Sequence, residues 1–170
     1  MNKLALLNLS KRLSNNSDHV VQKVKMAIEY PDLFTEKYSE SLAERNIDFN
    51  FSTEELPWIA LVDELIENGF AYEIDWKESP QDICSVVDTL LENKNYRMLD
   101  WTWLQDIEDM PTELFLDEIS KRLHRLLLTL GYLDIDSDSY VLIIVTLDEM
   151  ESIKSLASEA GFTILDNFKN

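Results

Sequence analysis

The fold turns on Leu130-Gly131-Tyr132-Leu133-Asp134-Ile135-Asp136-Ser137-Asp138-Ser139-Tyr140-Val141-Leu142-Ile143-Ile144-Val145-Thr146. Its first part alternates between apolar and polar residues and its end is an unbroken apolar run. Ser137-Asp138 between them can make a tight turn, so 132–136 and 139–147 read as a β-hairpin. The run Val141 to Val145 has no alternation, which suits a strand covered on both faces. Gly131 opens the stretch, and the other two glycines sit in similar surroundings: Gly69 before Phe70, and Gly161 before Phe162. Each follows a helical pattern and precedes an alternating apolar stretch. Glycine enters the left-handed conformation that ends a helix without a steric penalty. Each is therefore expected to close a helix that feeds a strand.

Working outward, apolar periodicity predicts helices at about 3–13, 18–29, 32–45, 53–68, 80–93, 112–130 and 148–160. Asp18 is an expected cap of the second, and Ser79-Pro80 with Asp82 opens the fifth. Strands are expected at 70–76 and 162–167 besides the hairpin. From residue 70 onward the order is βαββαβ, with 94–130 enlarging the first crossover. The predicted fold is α+β, a ferredoxin-like core over 51–170 with an N-terminal helical extension over 1–50.

Composition fits a globular chain: 170 residues, 45% hydrophobic and 28% charged, with only 3 Gly and 4 Pro. The longest apolar stretch, Tyr140 to Thr146, is far short of the roughly 20 residues of a membrane span. Near the N-terminus, Asn8, Lys11 and Arg12 break the apolar run, which reads as an amphipathic helix and not as a signal peptide. Cys84 is the only cysteine, which excludes an internal disulfide. Both features lead us to expect a cytoplasmic protein.

The net charge of −18 is unevenly placed. Residues 1–45 carry 7 Lys/Arg against 6 Asp/Glu, residues 46–119 carry 3 against 19, and residues 120–170 carry 5 against 8. Such a balance disfavours nucleic acid and anionic membranes and attracts a basic protein surface. The middle of the chain is the expected contact region.

Catalytic parts are missing. The three glycines lie too far apart for a phosphate-binding loop, and no Gly-x-Ser-x-Gly elbow occurs. His19 and His124 make no metal-binding spacing, and Cys84, between Ile83 and Val86, reads as a buried structural thiol. Asp134-x-Asp136-x-Asp138 starts like a calcium loop, but Ser139 and Val145 stand where that loop needs Gly and Glu. It reads as a polar turn. No metal, no cofactor and no catalysis are expected.

Two stretches combine carboxylates with aromatic residues. The first, Glu73 to Ile83, is a strand end feeding a helix and contains Asp75, Trp76, Glu78 and Asp82. The second, Tyr96 to Pro111, contains Asp100, Trp101, Trp103, Asp106, Glu108 and Asp109. Tryptophan is a common interface anchor, and carboxylates answer Lys and Arg on a partner. In the first stretch the structural alternative is favoured, with Trp76 packing in the core and Asp75 ordering the turn; in the second, the tryptophans would equally serve to cover the sheet. The candidate partner-binding residues are Asp75, Glu78, Asp82, Asp100, Trp101, Trp103, Asp106, Glu108 and Asp109.

Leu61-Val62-Asp63-Glu64-Leu65-Ile66-Glu67-Asn68-Gly69, followed by Ile74-Asp75-Trp76-Lys77 and Pro80-x-Asp82-Ile83, resembles a bacterial family of unknown function. That resemblance implies no activity. In size and charge the whole chain is also similar to the immunity proteins of bacterial toxin systems. This second likeness implies one-to-one binding that blocks a basic, nuclease-type toxin. A regulatory module for another basic protein, or a small-molecule-binding or enzymatic ferredoxin-like domain, would fit the same composition.

Overall fold

The computed structural model describes residues 1–47, 52–106 and 109–168. In chain order the elements are α1 (Lys3–Leu13), α2 (Asp18–Glu29), α3 (Pro31–Lys37), α4 (Ser39–Glu44), α5 (Leu56–Glu67), β1 (Tyr72–Asp75) and α6 (Pro80–Asn93). A short 3-10 turn (Thr102–Asp106) follows, then α7 (Thr112–His124), β2 (Leu128–Leu133), β3 (Ser139–Thr146), α8 (Leu147–Glu159) and β4 (Ile164–Leu165).

Two of the three glycines end helices as expected. Gly69 (φ 79°) and Gly161 (φ 90°) are left-handed. Behind them the amides of Phe70 and Phe162 donate to the carbonyls of Leu65 and Ala157 at 2.8 and 2.9 Å, and so satisfy the last turns of α5 and α8. Gly131 does something else. The helix expected over 112–130 stops at His124, and Leu127 (φ 59°) takes the left-handed position, so Gly131 lies inside β2. A Cβ there would sit 2.7 Å from Met150 Cε and 3.0 Å from the Leu165 carbonyl oxygen, so glycine permits the close approach of α8 and β4. Ser79 caps α6 as expected, accepting from the Asp82 amide at 3.2 Å. For α2 the cap is Ser17, not Asp18, which occupies the first helical position instead.

The sheet is antiparallel throughout, in the order β1-β3-β2-β4. The α+β class stands, and β2 and β3 do pair as a hairpin, but β2 runs Leu128–Leu133 and not 132–136, and residues 134–138 make the connection in place of a tight Ser137-Asp138 turn. The ferredoxin-like arrangement does not stand. There the last strand returns beside the first, whereas here β4 lies beside β2. Both crossovers therefore step the same way along the sheet, but from strands that point in opposite directions. Connections of one hand must then lie on opposite faces. They do: α6 and α7 cover Leu128, Leu130, Leu142 and Ile144, while α8, with α1, α2 and α5, covers Leu133, Val141, Ile143 and Val145. This explains the apolar run of β3, since every residue from Val141 to Val145 is buried between two helical layers. Each such side chain contributes roughly 1.5–3 kcal/mol by leaving water.

The helices of residues 1–47 pack onto this frame. Leu6, Leu9, Val20 and Val24 belong to the same core as Leu61 and Leu65 of α5 and the sheet face beneath. A third cluster joins Ala27, Phe34 and Leu42 to Leu56, Ile59 and Ala60 at the start of α5.

Candidate functional site

Alternation along β1 sends Tyr72 and Ile74 toward α6, and Glu73 and Asp75 toward the α5 side, in register with Val141 and Ser139 of β3. On α5, Glu55, Ile59, Asp63, Ile66 and Glu67 follow the helical period and share a face. The turn of the β2–β3 hairpin brings Asp134, Asp136 and Asp138 opposite them. Together with Glu44 at the end of α4, these elements bound an open cleft of about 1120 Å³ among the described residues.

The floor of the cleft is apolar: Trp58, Ile59, Ile66, Ile135 and Phe162. Trp58 is stacked on Phe162 with ring centroids 4.7 Å apart, and its Nε1 donates to the Asp134 carbonyl at 2.8 Å. That bond ties the hairpin to α5. At the rim Trp76 is 46% exposed, with the Lys77 amine 4.4 Å from its ring centre.

Among the described residues, nine carboxylates line the cleft against two cations, Lys23 and Arg45. Both cations are already engaged. Arg45 Nε donates to Asp63 Oδ1 at 2.6 Å and its Nη2 to Glu73 Oε2 at 3.0 Å, while Ser139 Oγ donates to the other Glu73 oxygen at 2.6 Å. Burial pulls the Arg45 pKa down, but the Asp63 and Glu73 carboxylates more than offset this and raise it. Burial also pushes the Asp63 carboxyl up, against the opposing pull of Arg45. Lys23 Nζ lies 2.6 Å from Glu64 Oε2, and His19 Nε2 lies 2.7 Å from the other Glu64 oxygen. Glu44, Glu55, Glu67, Asp75 and the three hairpin aspartates face solvent. Among the described residues, no three His, Cys, Asp or Glu side chains converge to hold a metal ion. The negative charge is spread along the cleft.

The nine candidate residues fall in different places. Asp75 lines the cleft, with Oδ1 accepting from the Lys77 amide at 2.9 Å. Glu78 and Asp82 border a smaller groove between β1 and α6, where Asp82 Oδ2 accepts from Ser79 Oγ at 2.9 Å. Asp100, Trp101 and Trp103 lie with the α6–α7 layer. Both indoles pack on its core, with Trp101 Nε1 donating to Asp88 and Trp103 Nε1 to the Asp100 carbonyl, each at 2.9 Å. The Arg122 guanidinium covers the Trp103 ring at 3.8 Å. Asp100 accepts from the Thr102 amide, which holds its carboxyl below the usual range. Asp109 is exposed, while Glu108 and the Asp106 side chain lie outside the described residues. Cys84 is buried in α6, and burial, then the charge of Asp88, pushes its thiol up to about 11.

Most of the cleft therefore lies outside the candidate set. Asp63 and Glu67, four residues apart on α5, and Glu73, which alternates with Ile74 and Asp75 on β1, share the cleft face, but that spacing alone singles none of them out in the sequence. Nothing local signalled that the hairpin aspartates would face them. No helix among the described residues is long and apolar enough to cross a membrane. No curated protein and no solved structure matches the chain. A family described as a domain of unknown function (DUF6630) matches residues 5–168, nearly the whole length, and the protein belongs to that family.

Proposed function

We propose that this protein is an immunity protein that binds and neutralises a cognate basic, nuclease-type bacterial toxin in the cytoplasm, without catalysing a reaction. The observation that carries this reading is the cleft where, among the described residues, nine carboxylates face two cations that are both tied up within the chain. A field of that sign accelerates the approach of a cationic surface and repels nucleic acid. Seated over a nuclease's active-site Lys and Arg residues, the carboxylates would take the place of substrate phosphates. Close, desolvated pairs of this kind couple by roughly 1.5–7 kcal/mol each. The test is co-expression with the product of the adjacent gene. That product should arrest growth alone, be silenced by this chain, and co-purify with it. A neighbour that is harmless alone and unbound would remove the reading.

A second reading is favoured by the position of Asp75 and Trp76 at the cleft: a small cationic molecule, such as a polyamine, as the natural ligand. Spermine raising the melting temperature at micromolar concentration would support it. A shift seen only at millimolar concentration would speak for unspecific charge screening.

A further inference from the structure

We infer that the cleft receives an extended segment of the partner, a loop or tail in which Arg or Lys alternates with apolar residues. The inference rests on the reading that this protein binds a cationic macromolecule, and it names the part of that macromolecule which docks. Small-molecule sites occupy roughly 300–1,000 Å³, and this open cleft, at about 1120 Å³, has room for more than a compact ligand of the smaller kind. Its carboxylates stand on four separate elements and nowhere converge as a single ion requires. Several cations spaced along a chain match that layout. The partly accessible Ile66, Ile135 and Phe162 of the floor, and Trp76 left 46% exposed at the rim, would go unused by a purely ionic ligand. A segment with apolar residues between its cations covers both, and tryptophan is a common anchor in such contacts. Arg45 already shows the pairing at one end of the cleft, where a guanidinium bridges Asp63 and Glu73. The alternative face, around Trp101 and Trp103, is occupied from within by Asp88, the Asp100 carbonyl and Arg122.

Calorimetric titration tests this with three probes: a short peptide alternating Arg with Val, its Glu-for-Arg counterpart, and lysozyme as a folded basic protein. Two triple variants are compared with the unsubstituted chain. One removes exposed cleft charges (Glu55→Gln, Glu67→Gln, Asp138→Asn), and the other removes charges elsewhere (Asp82→Asn, Asp100→Asn, Asp109→Asn). Matching thermal melts establish that both fold. The Arg-Val peptide should bind, the Glu peptide should not, and the cleft triple should weaken binding about tenfold while the other triple changes it less than about threefold. Equal weakening by both triples, or greater weakening by the second, overturns the cleft as the docking site and leaves the partner reading standing. Binding of lysozyme without binding of the peptide overturns the extended segment alone. If no cationic probe binds, the partner reading falls as well.

Discussion

Glu64 is the residue with most at stake. Its side chain is 1% exposed and its charge is answered by Lys23, itself 11% exposed, while His19 Nε2 at the surface lies 2.7 Å from its other oxygen. A buried carboxylate stripped of its partner costs about 3–5 kcal/mol. Lys23→Met should therefore lower stability by about 3 kcal/mol in urea denaturation at neutral pH, and Lys23→Met with Glu64→Leu should recover much of it. A single variant within about 0.5 kcal/mol of the parent would mean that His19 alone suffices. At this scale the sequence was informative about chemistry and poor about company. Asp75 stood out in the sequence because it ends a strand, and it lines the cleft. Asp63 and Glu73 did not stand out, because their meaning lies in Arg45, which is remote along the chain. Trp101 and Trp103 carried both a core and a surface meaning in the sequence. The Asp88 carboxylate and Arg122 guanidinium, from separate helices, fix their orientation.

Leu127 marks the join between α7 and β2. It is 71% exposed, yet holds a left-handed φ of 59°, a conformation that costs an ordinary residue roughly 1–2 kcal/mol and asparagine little. Leu127→Asn should thus raise stability by about 1 kcal/mol, read as a higher urea midpoint at unchanged slope. A lower midpoint would show that the side chain packs more than its exposure implies. The same join explains the misplaced boundary in the sequence reading. Leu123, Leu126, Leu127 and Leu130 keep a helical period, and Gly131 follows as a helix stop would. The periodicity is accidental, because Leu128 and Leu130 belong to a strand facing α6 and α7. Boundaries with a cap or a glycine in its own conformation, such as the start of α6 after Ser79 and the end of α5 before Gly69, were legible nearly to the residue.

A net charge of −18 on one small molecule works against compactness. Screening should relieve it: the Debye length falls from about 10 Å at 0.1 M salt to about 3 Å at 1 M. The melting temperature is therefore expected to rise by several degrees from low to molar sodium chloride, measured by circular dichroism. A fall would mean that the ion pairs of Glu64 and Arg45 outweigh the repulsion. At this scale the class and the hairpin were legible, but the strand order was not. The order of elements along the chain is the same whether β4 closes beside β1 or beside β2. Only the helices on both faces decide between them, and the double burial of β3 was the single sign of that in the sequence.

That double burial has a kinetic consequence. Strands β2 and β3 meet across a short turn, whereas β1 must find β3 from the far side of α6 and α7. Closing the short loop costs much less chain entropy, so the hairpin is the natural nucleus, and both helical layers condense on a ribbon that starts out greasy on each side. Until one layer arrives, that ribbon is the most adhesive surface the nascent chain presents.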